Sequence, residues 1–126
     1  MSGFEKEMGS LRKGLDCIED LKALYDSWYV NIDEEKSLIS LNAVNTLFVC
    51  TQVQFAECLM EQALIAQKKL EELPDDHHDR NFYKGKIAAA KYYVNQVLPN
   101  AFTQTDVIRS EDTFVLDCPE EALVVS

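Results

Sequence analysis

From Phe4 to Ile32 the chain places Phe4, Leu11, Ile18, Tyr25 and Ile32 at intervals of seven, with Met8, Leu15 and Tyr29 on the row between them. Such spacing returns to one face of a helix every second turn, so the segment predicts a first long helix near residues 3–31. Lys22 takes the one charged slot of the second row, and the stripe moves onto Leu21, Leu24 and Trp28. Helical spacing alone brings Tyr25, Trp28 and Tyr29 to one side, and core packing accounts for them without a ligand platform.

A second segment opens at Asp33, an expected N-cap, with Glu34 and Glu35 where a helix dipole favours negative charge. No Pro or Gly interrupts it before Leu73, and the predicted helix spans 33–73. One face carries Leu41, Val44, Phe48, Phe55, Leu59, Ala63, Ala66, Leu70 and Leu73; a second row, Val49, Val53, Ala56, Met60 and Leu64, lies about 100° around it. Two apolar rows imply two sets of neighbours. A rod of about 60 Å would outrun its neighbours, so it must protrude, bend or form the spine of a bundle or dimer.

Pro74 stops that helix, and Pro74 to Asp79 forms a polar connection in which Asp75, Asp76 or Asp79 can cap the next element. His77 and His78, the only histidines, lie here beside three carboxylates. Adjacent residues rarely reach one ion together and no matching ligand cluster appears elsewhere, so a metal centre is not expected. A third helix is predicted near 79–98, with the stripe Tyr83, Ile87, Ala90, Val94 and Val97 and with Phe82, Ala89 and Tyr93 on its flank. Gly85 and the run Ala88 to Ala90 leave little bulk, which predicts a close approach by another helix. Arg80, Lys84, Lys86 and Lys91 form the one locally basic stretch, expected as a solvated face or as partners for acidic helices. Pro99 must kink or end the helix. Ala101, Phe102, Thr105 and Ile108 keep the period and predict a short fourth helix. Thr113 to Asp117 reads as extended or irregular, and Pro119 can start a last turn of Glu120 to Leu123.

The expected architecture is therefore all-α, an up-down helical bundle of three long helices plus a short fourth after Pro99. It is read as a single domain over 1–126 with a tail at 113–126. Composition agrees: with 47% apolar residues, four Gly and three Pro in 126 residues, the chain can fill a core but lacks the turns of a sandwich or barrel. The net charge of −10 repels phosphate backbones and anionic membranes, so no nucleic-acid or membrane partner is expected. No apolar run approaches the ~20 residues of a membrane span, and Ser2 does not fit the myristoylation pattern. Cys17, Cys50, Cys58 and Cys118 show no C-x-x-C spacing and no secretory segment precedes them; they read as reduced, cytoplasmic thiols serving as small core fillers.

Glycine-rich phosphate loops and the nucleophile elbow are missing from the sequence. Neither histidine follows a Glu at the spacing that di-iron bundles need. Glu57 and Glu61 share a helical face, and a solvent-facing row accounts for them. Catalytic, cofactor-binding and metal-binding residues are accordingly assigned to none of the side chains.

The third segment carries something more specific. Phe82, Tyr83, Lys86, Ile87, Ala90 and Tyr93, followed by Leu98 and Pro99, resemble the segment written roughly F-x-x-K-[IL]-x-x-A-x-[FY]-[FY]-x-x-x-x-L-P near the end of extended acyl-CoA dehydrogenases, in their additional C-terminal helical domain. The long helix before Asn81 and the stretch to Ile108 look like that domain too, so the resemblance covers most of residues 1–117. It implies a flavoprotein context: FAD accepts a hydride from the β-carbon of an acyl thioester after a glutamate removes the α-proton. In that family the glutamate and the FAD and CoA contacts lie in the dehydrogenase core upstream, and no residue here matches them. For the motif residues the resemblance implies packing, and for Lys86 and Tyr93 contact with the core.

Three functions follow. The leading one is a non-catalytic helical module of an acyl-CoA dehydrogenase-like flavoprotein, providing packing and subunit contacts, without cofactor in this chain and inactive alone. Its partner would be an acyl-CoA dehydrogenase core or a second copy in a homodimer. The second is a stand-alone helical interaction or dimerisation protein. The third, an FAD or acyl-CoA site between subunits, is the weakest, because those ligands bring phosphate charges that basic or Gly-rich contacts must meet.

Overall fold

A computed structural model describes residues 3–124, excluding the side chains of 34–36; the expectation for Glu34 and Glu35 lies outside those described residues, as do both chain ends. The elements are α1 (Glu5–Val30), α2 (Ile32–Leu41), α3 (Ala43–Glu72), α4 (Arg80–Tyr92), a π turn (Tyr93–Val97) and α5 (Pro99–Arg109), then 3₁₀ turns at Phe114–Asp117 and Glu120–Leu123. Among the described residues there is no strand, and the all-α bundle is the fold.

The expected 33–73 rod is two helices. Its break is Asn42, which is buried and whose Nδ2 donates to Leu38 O at 2.9 Å, beside its own backbone N–H bond to that carbonyl at 3.1 Å. A side chain that claims the carbonyl four residues back loosens the ladder there. Asn31, between α1 and α2, repeats the device by donating to Ser27 O at 3.2 Å. Consequently α2 begins at Ile32 with no side-chain cap, and the expected Asp33 cap is not formed. The 30 residues of α3 run about 45 Å, not 60.

The core gathers Phe4, Leu11, Cys17, Leu21 and Trp28 from the first segment, Leu38 from α2, Val49, Val53, Ala56, Met60 and Ala63 from α3, and Ala90, Val94, Leu98, Ala101 and Ile108 beyond. The seven-residue seam of α1 is turned relative to expectation: Leu15, Tyr29 and Ile32 are exposed, whereas Gly14 and Cys17 face inward. On α3 the core draws on both rows: Val49, Val53, Ala56 and Met60 of the second and Ala63 and Ala66 of the first are buried, while Val44, Phe48 and Phe55 of the first are exposed. Of the four thiols only Cys17 is fully buried, Cys58 is exposed, and none is in a disulfide.

Close helix contact also falls elsewhere than expected. A Cβ on Gly85 would meet nothing within 4 Å, and Ala88 and Ala89 are exposed, leaving Ala90 as the buried member of that run. The tight site is Gly14, where a Cβ would stand 3.1 Å from Val53 Cγ2 and 3.5 Å from Leu98 Cδ1. The missing side chain lets α1 approach α3 and the Leu98 junction.

Pro99 ends one helix and opens the next. Its ring would crowd the carbonyl four residues back in a regular ladder. The chain widens instead into the π turn, with Leu98 N–H donating to Tyr93 O at 2.9 Å. Beyond α5, Glu111 adopts a left-handed φ of 53° and accepts a 2.6 Å hydrogen bond from the indole N–H of buried Trp28. The Thr113 to Asp117 stretch is a 3₁₀ turn, not an extended piece, and Pro119 starts the last turn, with Ala122 N–H donating to its carbonyl at 2.9 Å.

Candidate functional site

Away from the core, α3 and α4 together present an exposed side. The two helices run antiparallel, for contacts step down α3 as they step up α4. Ala66 shares a groove with Phe82 and Tyr83. Lys86 Nζ donates to Gln62 Oε1 at 3.4 Å, and the rings of Phe55 and Tyr93 lie 5.3 Å apart.

The motif residues divide between core and surface. Ala90 and Leu98 are fully buried, Ile87 packs half-buried against the core, and Pro99 is half-buried at the first position of α5. Tyr93 is half-buried against Phe55, and burial pushes its phenol above the usual tyrosine range. Phe82 is 61% exposed, meets Tyr83 edge to face at 5.3 Å, and has Lys86 Nζ 5.4 Å from its ring centroid. Phe82, Tyr83 and Lys86 line an open, mostly apolar groove of about 250 Å³ with Gln62, Ile65 and Ala66. Lys86 and Tyr93 thus lie on one side of the helix pair, but Lys86 belongs to the groove and Tyr93 to the α3 contact.

Two polar features were not legible beforehand. Glu7, 4% exposed, accepts a 3.0 Å hydrogen bond from Asn95 Nδ2 in the π turn and lies 4.0 Å from Lys91 Nζ. Its position four residues before Leu11 on the core face was the available signal. Arg80, expected on a solvated basic face, reaches back to cap α3, its Nη1 donating to Leu70 O at 2.9 Å and Leu73 O at 3.2 Å.

His77, His78 and Asp79 bring their ligand atoms within 4.8 Å of one another, forming the one such metal-type cluster among the described residues. The two rings stack at 4.5 Å with 18° between planes. His77 Nδ1 already accepts the Asp79 backbone N–H at 3.1 Å, and His78 Nε2 lies 3.2 Å from Asp79 Oδ1. This arrangement closes the loop before α4.

Two of the cavities carry charge that does not suit FAD. The α3–α4 groove offers Lys86 as its one charged group for a pyrophosphate that calls for several donors. A smaller cavity lined by Lys13, Cys17, Phe102 and Arg109 also presents Asp16, Asp20 and Asp106, with Arg109 paired to Asp20 and Asp106, so carboxylates face any incoming phosphate.

These features define a class: an all-helical bundle that exposes an apolar helix face. The chain belongs to the family described as acetyl-CoA dehydrogenase C-terminal like, whose model matches residues 3–119. It is similar to two proteins named butyryl-CoA dehydrogenase from Syntrophomonas wolfei subsp. wolfei, at 33% and 32% identity over 121 residues. The match covers 96% of this chain and 19% of each relative, so the chain spans about a fifth of their length. No helix among the described residues is long and apolar enough to cross a membrane.

Proposed function

We propose that this chain is the non-catalytic helical module of an acyl-CoA dehydrogenase-like flavoprotein, packing against a dehydrogenase core that carries the FAD and the acyl thioester chemistry. The observation that carries this reading is the family match along nearly the whole chain to only a fifth of relatives named as dehydrogenases. The α3–α4 groove supports it. Phe82 and Ile65 offer exposed apolar anchors of the kind found at interface cores, with Lys86 suited to the polar rim. Four free thiols suit a reducing, cytoplasmic setting for fatty-acid oxidation.

The test is to mix the chain with a butyryl-CoA dehydrogenase core truncated before its extension and follow co-elution, flavin absorbance and activity. The chain alone should show no flavin spectrum and no acyl-CoA oxidation. Co-elution should occur and weaken with Phe82→Glu. A core that never co-elutes, or a chain that binds FAD alone, would overturn the reading.

A further inference from the structure

We infer that the N-terminal half of α3 is a self-pairing face, on which two copies of this chain dock antiparallel across a two-fold axis near Thr51. The inference goes beyond the proposed role; its face lies outside the groove lining and adjoins that side of the helix pair through Phe55, whose ring lies 5.3 Å from that of Tyr93.

Val44, Leu47, Phe48, Thr51, Phe55 and Cys58 fall within a narrow sector of α3, since steps of three and four residues keep one side of a helix. Val44, Leu47, Phe48 and Phe55 are 62%, 65%, 56% and 54% exposed, while Val49, Val53 and Ala56 on the other side are fully buried. Scattered exposed apolar residues need no explanation, but a continuous row along about 20 Å of one helix marks a contact. Thr51 Oγ1 donates to Leu47 O at 2.8 Å. Its hydroxyl is thereby satisfied within the helix, and the row carries no competing polar demand at its midpoint.

Charge selects the occupant. From Ser37 to Ala56 the sequence holds no Asp, Glu, Lys, Arg or His, in a chain that is 27% charged and carries −10 overall. A two-fold interface sets one patch against itself, so any charge near its axis meets its own like. A face meant for a different, electrostatically chosen partner would be marked by charge; one meant for itself must be cleared of it. The order of residues fits as well. With Thr51, the small side chain between the two phenylalanines, at the axis, antiparallel pairing places Phe55 of one copy against Leu47 and Phe48 of the other and Cys58 against Val44. Aromatic and aliphatic side chains then alternate across the seam.

Light scattering after gel filtration tests this on the full chain. The expected mass is near twice 14.4 kDa, falling to the monomer value in the Phe48→Glu/Phe55→Glu double variant and staying dimeric in Phe82→Glu. Thr51→Cys in a Cys58→Ser background should form an intermolecular disulfide on mild oxidation, whereas Cys58→Ser alone should not. A wild-type chain that stays monomeric at high concentration overturns the inference, as does a dimer that survives the double variant. If the double variant loses its helical circular dichroism, the Thr51→Cys cross-link decides, and its absence overturns the inference. A chain that binds a dehydrogenase core without pairing with itself refutes this face and leaves the proposed function standing; the reverse outcome does the opposite.

Discussion

Glu111 offers the sharpest test of how the end of the bundle is closed, because two opposing effects meet in one residue. Its carboxylate accepts the Trp28 indole N–H at 2.6 Å, and Trp28 is fully buried. Removing the acceptor strands a buried donor, which costs about 1–3 kcal/mol, toward the lower end here because Glu111 itself is exposed and water can approach. The same residue holds a φ of 53°, a conformation that costs a side-chain-bearing residue about 1 kcal/mol and glycine almost nothing. Glu111→Ala therefore loses the bond and keeps the strain, for an expected loss of about 2 kcal/mol. Glu111→Gly loses the bond but relieves the strain, and should recover about 1 kcal/mol of that loss. Trp28 is the single tryptophan, so urea unfolding followed by its fluorescence reads both stability and local environment. Equal stabilities for the two variants would refute the backbone argument. A Glu111→Ala midpoint at the wild-type value would refute the hydrogen-bond argument.

Three further outcomes are expected. Ala90→Leu adds bulk at a fully buried position and should cost about 1–3 kcal/mol by thermal melting; an unchanged melting temperature would refute it. Gly14→Leu should cost at least as much because of the 3.1 Å approach to Val53, while Gly9→Ala, in open space on the same helix, should gain up to about 1 kcal/mol of helix propensity. The phenol of Tyr93 is raised by burial. Its folded value lies above its unfolded one, so the stability it contributes is complete below the unfolded value and is lost as pH rises through the folded one. Above pH ~10, Tyr93→Phe should show a flatter decline in stability than wild type, and matching curves would refute this.

The helix class, the approximate ends of α1 and the start of α4 were legible because long apolar periods need no tertiary information, whereas the helix expected to reach 98 gives way to the π turn after Tyr92. Hidden from that pattern were the breaks at Asn31 and Asn42. Periodicity continues across both, and at each an Asn side chain bonds to the carbonyl four residues back, a bond that Thr51 and Thr105 make without a break. The error on α3 has a related origin. Two apolar rows were read as two sets of neighbours; within the chain Val49, Val53, Ala56, Met60, Ala63 and Ala66 turn inward, while Phe48 and Phe55 remain outside. Hydrophobicity tells which side chains avoid water, not whether the same chain supplies their cover. Glycine at 14 and alanine at 88–90 teach the same lesson. Small residues permit close approach, and only the crossing geometry says which of them is used.

The motif ending Leu98–Pro99 has a structural meaning that leads to one more expected outcome. Ala90, Val94, Leu98, Ala101, Thr105 and Ile108 are all fully buried, a core row that passes straight through the proline junction. Its spacings of four, four, three, four and three residues span five turns of a regular helix, so the period alone keeps the row on one face. Pro99→Ala restores the missing N–H and would allow a regular ladder, for a gain of about 1 kcal/mol from one hydrogen bond. A regular ladder would keep Ala101, Thr105 and Ile108 on the face of Ala90 and Val94, so no burial opposes it. Pro99→Ala should therefore gain up to about 1 kcal/mol in stability by urea unfolding, with Trp28 fluorescence unchanged. A red-shifted emission with a loss of stability would show that α5 had rotated and drawn Glu111 off the indole, and would refute the shared-period argument.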